Sequence, residues 1–132
     1  MYYTYIIRCE DNSLYTGMTN NLDKRVNEHL SKSGAKYTKS HKATKLEIAW
    51  RSKSKSLSCK LEYQIKNLTK QQKENLIVGK RLSTYLSRIV DCRRYKRIWN
   101  VIKMESEDNY NFFNNNNPKV IKYFRFEKHW KR

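Results

Sequence analysis

The sequence predicts a small α+β domain: a three-stranded antiparallel sheet flanked by helices, in the order β-β-α-β-α-α, followed by a helical or irregular C-terminal extension. Three observations predict it. Residues 2–9 and 14–19 are rich in aromatic and β-branched side chains and are separated only by Glu10-Asp11-Asn12-Ser13, which is turn chemistry between two strands. Leu22, Val26 and Leu30 recur at the spacing of one buried helical stripe. The first connection is too short for a parallel crossover, which leaves an antiparallel arrangement.

The remaining elements follow in order. Asn20 or Asn21 can cap the first helix, which should stop near Gly34. A basic loop runs from Lys36 to Lys45, and Leu46-Glu47-Ile48-Ala49-Trp50 alternates as a third strand does. Leu57, Leu61, Ile65 and Leu68 mark a second helix, and Thr69 starts a short third one that runs through Leu76 and Ile77 to Gly79. Beyond Gly79, Leu82, Tyr85, Leu86, Ile89 and Val90 suggest one more helix. Tyr95, Ile98, Trp99 and Ile102 continue or follow it in the same periodicity. The Asn-rich stretch from Glu105 to Pro118 reads as a linker, and Val120 to Arg132 alternates aromatic with basic residues. The organisation expected is a domain over residues 1–80 and a basic, aromatic-rich extension over 81–132.

Charge narrows the function. Among 132 residues, 29 Lys and Arg face 12 Asp and Glu, a formal net charge of +17 that favours a polyanionic partner. Both halves contribute, with 16 basic and 7 acidic side chains in residues 1–80 and 13 and 5 in the remainder. No apolar run approaches the roughly 20 residues of a membrane span, and the N-terminus lacks the pattern of a secretory signal. An intracellular nucleic-acid-binding protein is the expectation. Cys9, Cys59 and Cys92 lack zinc-site spacing and read as small buried thiols.

Polar residues on the apolar framework supply the chemistry. Arg25 and His29 lie four apart, on one face of the first helix beside its stripe. Glu62 borders the stripe of the second helix, where a partly buried carboxylate can hold a cation. Taken singly, a solvated helix face for Glu62 and an ordinary surface pair for Arg25 and His29 are the simpler readings of these positions. Tyr5 and Tyr15 can likewise be a cross-strand aromatic pair. Gly17 suggests a close approach of another group to the sheet. Lys36, Tyr37, Lys39, His41 and Lys42, together with Arg93, Arg94, Lys96 and Arg97 in the extension, are candidates for contacting DNA phosphates.

In combination these residues resemble a known family. Tyr3-Thr4-Tyr5, then Tyr15-Thr16-Gly17, then Asn21-Leu22-Asp23-Lys24-Arg25 and His29, then Leu61-Glu62-Tyr63 is similar to the ordered signature of GIY-YIG nucleases. Ser13 to Thr19, Gly34 to Thr38 and Ile65 to Thr69 resemble the stand-alone, single-domain subgroup, which is also similar to the catalytic domain of Slx-type structure-specific nucleases. The resemblance covers roughly residues 1–80, and without a Cys/His-rich zinc segment in this sequence a full Slx-type arrangement is not expected. Tyr3-Thr4 stands where the family has Gly-Ile, and Thr16 where it has Ile.

The resemblance implies a DNA endonuclease that uses Mg²⁺ or Mn²⁺ held by Glu62, on DNA that is branched or single-stranded. Arg25 would neutralise charge on the phosphorane, Tyr5 and Tyr15 would position and deprotonate water, and His29 would be an alternative base or a relay. The extension would add DNA affinity or a protein contact. The rival readings are a non-catalytic nucleic-acid-binding protein on the same fold and a basic packaging protein.

Overall fold

The computed structural model describes residues 1–31 and 41–98. Strands β1 (Tyr2–Cys9) and β2 (Leu14–Thr19) form the predicted hairpin. Its turn is fixed locally: the Asp11 carboxylate accepts from the Ser13 amide at 3.0 Å and the Ser13 hydroxyl at 2.6 Å, while Asn12 takes φ 71°. Asparagine tolerates that left-handed conformation better than most side chains.

Helix α1 (Leu22–Leu30) is capped by Asn21, whose side chain accepts from the Lys24 amide at 3.2 Å. It ends at Ser31, before the expected stop near Gly34, which lies outside the described residues. Strand β3 (Ala43–Ser52) is longer than the alternating core that announced it. Helix α2 (Lys55–Lys66) starts at Ser54. Helix α3 (Lys70–Val78) opens with a reciprocal capping box between Thr69 and Gln72 and closes at Gly79, whose φ of 138° suits only glycine. The helix expected after Gly79 is a single turn, α4 (Ser83–Leu86), and a 3₁₀ turn follows at Cys92–Arg94.

Among the described residues the sheet has four strands, not three. Strand β4 (Lys96–Ile98) pairs antiparallel with β3, giving the order β2-β1-β3-β4. Periodicity alone favoured helix here. Without β4, however, the outer edge of β3 would keep unpaired backbone groups, and Ile98 would leave a gap where it is now fully buried. Residues 82–98 also bring Leu82, Leu86, Val90 and Tyr95 into the core. Trp99, Ile102 and the Asn-rich and aromatic stretches lie outside the described residues.

Two apolar layers cover the sheet. On one face α1 packs Leu22 and Val26 against Tyr5, Ile7, Leu46, Ala49 and Ile98. On the other, Leu61 and Ile65 of α2, Leu76 of α3 and Leu86 of α4 pack against Ile6, Ile48 and Trp50. Between Leu46 and Ile48, which pair with Ile7 and Ile6, Glu47 is the extra residue of a β-bulge. Its carboxylate accepts from Arg8 Nε at 2.7 Å, and the same guanidinium grips Glu74 of α3 at 2.5 and 2.7 Å. This ties α3 to the sheet and holds the Glu74 carboxyl down at about 2. Among the thiols Cys9 is buried, Cys92 half-buried and Cys59 exposed, so the buried reading fails for Cys59, which faces outward from α2. Among the described residues, no helix is long and apolar enough to cross a membrane.

Candidate active site

Tyr5 lies in the middle of β1 with its side chain on the α1 face, directly opposite Gly17 of β2. A Cβ on residue 17 would come within 2.5 Å of the Tyr5 hydroxyl oxygen, 2.7 Å of its Cζ and 3.1 Å of Tyr15 Cε2. Gly17 is therefore the notch across which the phenol lies. Tyr5 and Tyr15 are diagonal partners in the ladder, because Tyr15 opposes Ile7, and their rings sit 6.5 Å apart at 44°.

Helix α1 supplies the groups above the notch. The Tyr5 hydroxyl and His29 Nε2 are 2.9 Å apart, and His29 has no exposed surface. The imidazole also stands 5.1 Å from the Tyr15 ring. Arg25, one turn earlier, lies close enough to the Tyr5 phenol to act on it electrostatically and donates to Glu28 Oε1 at 2.9 Å. A polar hollow of about 190 Å³, lined by Thr19, Asn20, Asn21, Lys24, Arg25 and Glu28, opens beside it. Glu62 comes from α2, which packs on β1 and β2; its half-buried carboxylate is 3.3 Å from exposed Lys66 and acts electrostatically on Tyr5.

These neighbours set the protonation states. Burial, then Tyr15 and Glu62, push the Tyr5 phenol above its ordinary range, against the opposing pull of Arg25. Burial and the charge of Arg25 lower His29 to about 4. At neutral pH both groups are uncharged. The pair is then a phenol and an imidazole sharing one proton, the arrangement a proton relay needs.

Residues 1–75 match the GIY-YIG catalytic domain. The chain belongs to the GIY-YIG family. It is 45% identical over 95 residues to a UPF0213 protein of Fusobacterium nucleatum, covering 72% of this chain and 93% of that one. A UPF0213 protein of Clostridium perfringens is 46% identical over 80 residues, covering 61% and 86%. The solution NMR structure of a UPF0213 protein from Bacillus halodurans is similar at 35% identity and a TM-score of 0.40, over 68% of this chain and 100% of that one. The family is one of nucleases that generally use divalent metals.

Within this GIY-YIG domain, the donors suit a hard cation. Glu62 offers carboxylate oxygens that are neither sealed in the core nor fully solvated, with side-chain exposure of 23%. Among the described residues, no group of three or more His, Cys, Asp and Glu gathers to make an all-protein cage. One carboxylate, completed by water and substrate phosphate, is how proteins commonly hold Mg²⁺.

The other expected contacts are scattered. Lys36, Tyr37 and Lys39 lie outside the described residues. His41 sits 3.8 Å from Asp11 of the hairpin turn and Lys42 is exposed beside it, both at the C-terminal end of β1. Arg93, Arg94 and Lys96 stand at the opposite end, with Arg93 bonded to Asp91 at 3.0 and 3.1 Å. Arg97 is a correction. Its guanidinium donates to the carbonyls of Leu76, Ile77 and Lys80, closing the C-terminal end of α3 rather than facing a phosphate, and burial lowers it to about 10. Sequence reasoning also passed over Lys24. Only the hollow beside Arg25 brings it into view.

Proposed function

We propose that this protein is a metal-dependent DNA endonuclease, structure-selective or weakly specific for sequence, that acts in DNA repair, recombination or processing. The observation that carries the reading is the buried 2.9 Å contact between the Tyr5 hydroxyl and His29, with Arg25 acting electrostatically on the same phenol. One partner is enough to satisfy a buried structural tyrosine; a neutral histidine and an arginine meeting at the same hydroxyl also suit a proton relay.

In the proposed reaction, a water molecule beside Tyr5 attacks phosphorus. Its proton passes to the Tyr5 oxygen as the Tyr5 proton passes to His29 Nε2, so no free phenolate has to persist. The incoming phosphate lowers the cost of an imidazolium at His29, since negative charge beside it opposes the effect of Arg25. Tyr15, on the edge strand and less buried, orients the water. Arg25 donates to the non-bridging oxygens as charge builds on them. Glu62 would hold Mg²⁺ or Mn²⁺, whose chemistry there is to polarise the scissile phosphate and stabilise the leaving oxygen.

The decisive test is Glu62→Gln in the full chain. The expected outcome is cutting of DNA by the wild type only with Mg²⁺ or Mn²⁺, and loss of cutting with retained DNA binding in the variant. Undiminished cutting by Glu62→Gln would remove the metal assignment. Binding by the wild type with no cutting under any divalent ion would instead favour a non-catalytic DNA-binding protein.

A further inference from the structure

Beside Glu62, positive charge exceeds the acids that could answer it. Lys66, the last residue of α2, lies one turn beyond Glu62 with its ammonium 3.3 Å from the carboxylate. After a short connection α3 begins, and Lys73 stands one turn into it, its amide donating to the Thr69 carbonyl at 3.0 Å. The Lys73 side chain is half-buried, and Lys66 acts on it electrostatically across the connection. Burial first, and then Lys66, hold the Lys73 ammonium below the ordinary lysine range.

The acids of α3 and the adjoining sheet are already taken. Arg8 holds Glu47 and Glu74, and Lys70 adds a second cation to Glu74 at 2.9 Å. Lys73 has no hydrogen bond or ion pair among the described residues. A lysine often lays its stem on apolar surface and keeps its head in water, but here the head itself is desolvated and faces a like charge. Such a group costs folding free energy unless an anion meets it. A divalent cation at Glu62 sharpens the imbalance, because it frees Lys66. One carboxylate then faces a doubly charged ion and two ammonium groups, a net of three positive charges.

We infer that Lys66 and Lys73 form a binding site for a DNA phosphate, which Lys66 joins only when Glu62 releases it in exchange for a metal ion. This rests on the nuclease reading, which gives Glu62 its metal. The pair stands on α2 and α3, whereas Arg25 stands on α1 across the sheet, so the phosphate it holds is a neighbour of the one Arg25 meets. Each ammonium acts on that phosphate as a compact point charge. In the free protein Lys66 occupies the Glu62 carboxylate and competes with a metal ion for it. Metal and DNA therefore bind cooperatively, and by linkage each tightens the other by the same factor.

The test uses the full chain and a DNA duplex, with affinity read by fluorescence anisotropy across a salt series, first in EDTA and then with Ca²⁺, a hard cation that also takes carboxylate oxygens. Lys73→Met keeps an unbranched apolar stem and removes the charge. It should flatten the slope of log K against log salt by about 0.9 in both series, and Lys73→Arg should restore it. Lys66→Gln should leave the slope near wild type in EDTA, where Lys66 is engaged by Glu62, and flatten it by about 0.9 with Ca²⁺. Lys60→Gln is the control, an exposed position on the opposite side of α2 from Glu62, and should move neither series as far. The melting temperature of Lys73→Met should equal or exceed that of the wild type.

Unchanged slopes for Lys73→Met in both series, or equal flattening in the control, would overturn the phosphate site. Equal flattening by Lys66→Gln with and without Ca²⁺ would overturn the exchange at Glu62. The expected slopes, with DNA left uncut by the wild type in Mg²⁺ or Mn²⁺, would uphold the phosphate site and overturn the nuclease reading. Normal cutting with unchanged slopes would do the reverse.

Discussion

The two faces of the sheet use burial for opposite ends. On the α2 face, Leu61, Ile65, Leu76 and Trp50 form an apolar layer whose buried polar groups are tied off: the Glu47 carboxylate accepts from Arg8, which also holds Glu74, Thr4 donates to the Ser58 carbonyl at 3.0 Å, and Ser58 shares a 2.8 Å bond with Ser52. On the α1 face, burial encloses titratable groups instead. Tyr5 and His29 are removed from water, yet bonded to each other and approached by Arg25. The first layer holds the sheet together. The second fixes protonation states at a cost in folding free energy, and the first must offset it.

Substitutions that remove one function and spare the other sharpen this contrast. The largest effect is expected from Tyr5→Phe, with single-turnover cleavage falling by roughly 10²- to 10⁴-fold. The structure adds a cost of about 1 kcal/mol, since the hydroxyl is bonded to a buried imidazole. Tyr15→Phe should slow cleavage less. Wild-type rates for both would break the contrast by making the tyrosines packing elements.

Leu61→Ala is the mirror experiment. It removes a fully buried side chain from the α2 face and should cost about 2–5 kcal/mol in chemical denaturation. The folded fraction should cleave at a rate within a few-fold of wild type. A loss of rate exceeding the loss of folded protein would mean that Glu62, its neighbour, is repositioned too.

Acid separates the faces in another way. His29 is lowered to about 4 in the folded chain from an ordinary 6.5, so between those values the unfolded chain binds more protons. Stability contributed by neutral His29 is complete above pH 6.5 and is lost as pH falls towards 4, by at most about 3 kcal/mol. Thermal melts from pH 7 to pH 4 should show this decline, and His29→Gln should flatten it. The smallest effect is expected at Thr16, opposite Ile6 on the α2 face, whose buried hydroxyl oxygen has no hydrogen-bond partner. Thr16→Val should raise stability by about 1 kcal/mol with cleavage unaffected. A destabilised Val variant would show that the hydroxyl is engaged in solution.

The sequence by itself determined the hairpin, the three helices through Gly79 and the caps of the first and third, because turn residues, capping side chains and apolar periodicity act over a few residues. It also determined which residues to examine: Tyr5, Tyr15, Arg25, His29 and Glu62 stand in a recognisable order. Tertiary structure alone decided the rest. The three residues of β4 carry too little periodicity to announce a strand; the open edge of β3 makes them one. Arg97 reads as one more cation in a basic run, and only the fold brings the end of α3 to its guanidinium. Nothing along the chain says that Gly17 is the notch for Tyr5 or that Tyr5 meets His29. Those are facts of register and of the angle at which α1 crosses the sheet, set by packing between residues far apart in sequence.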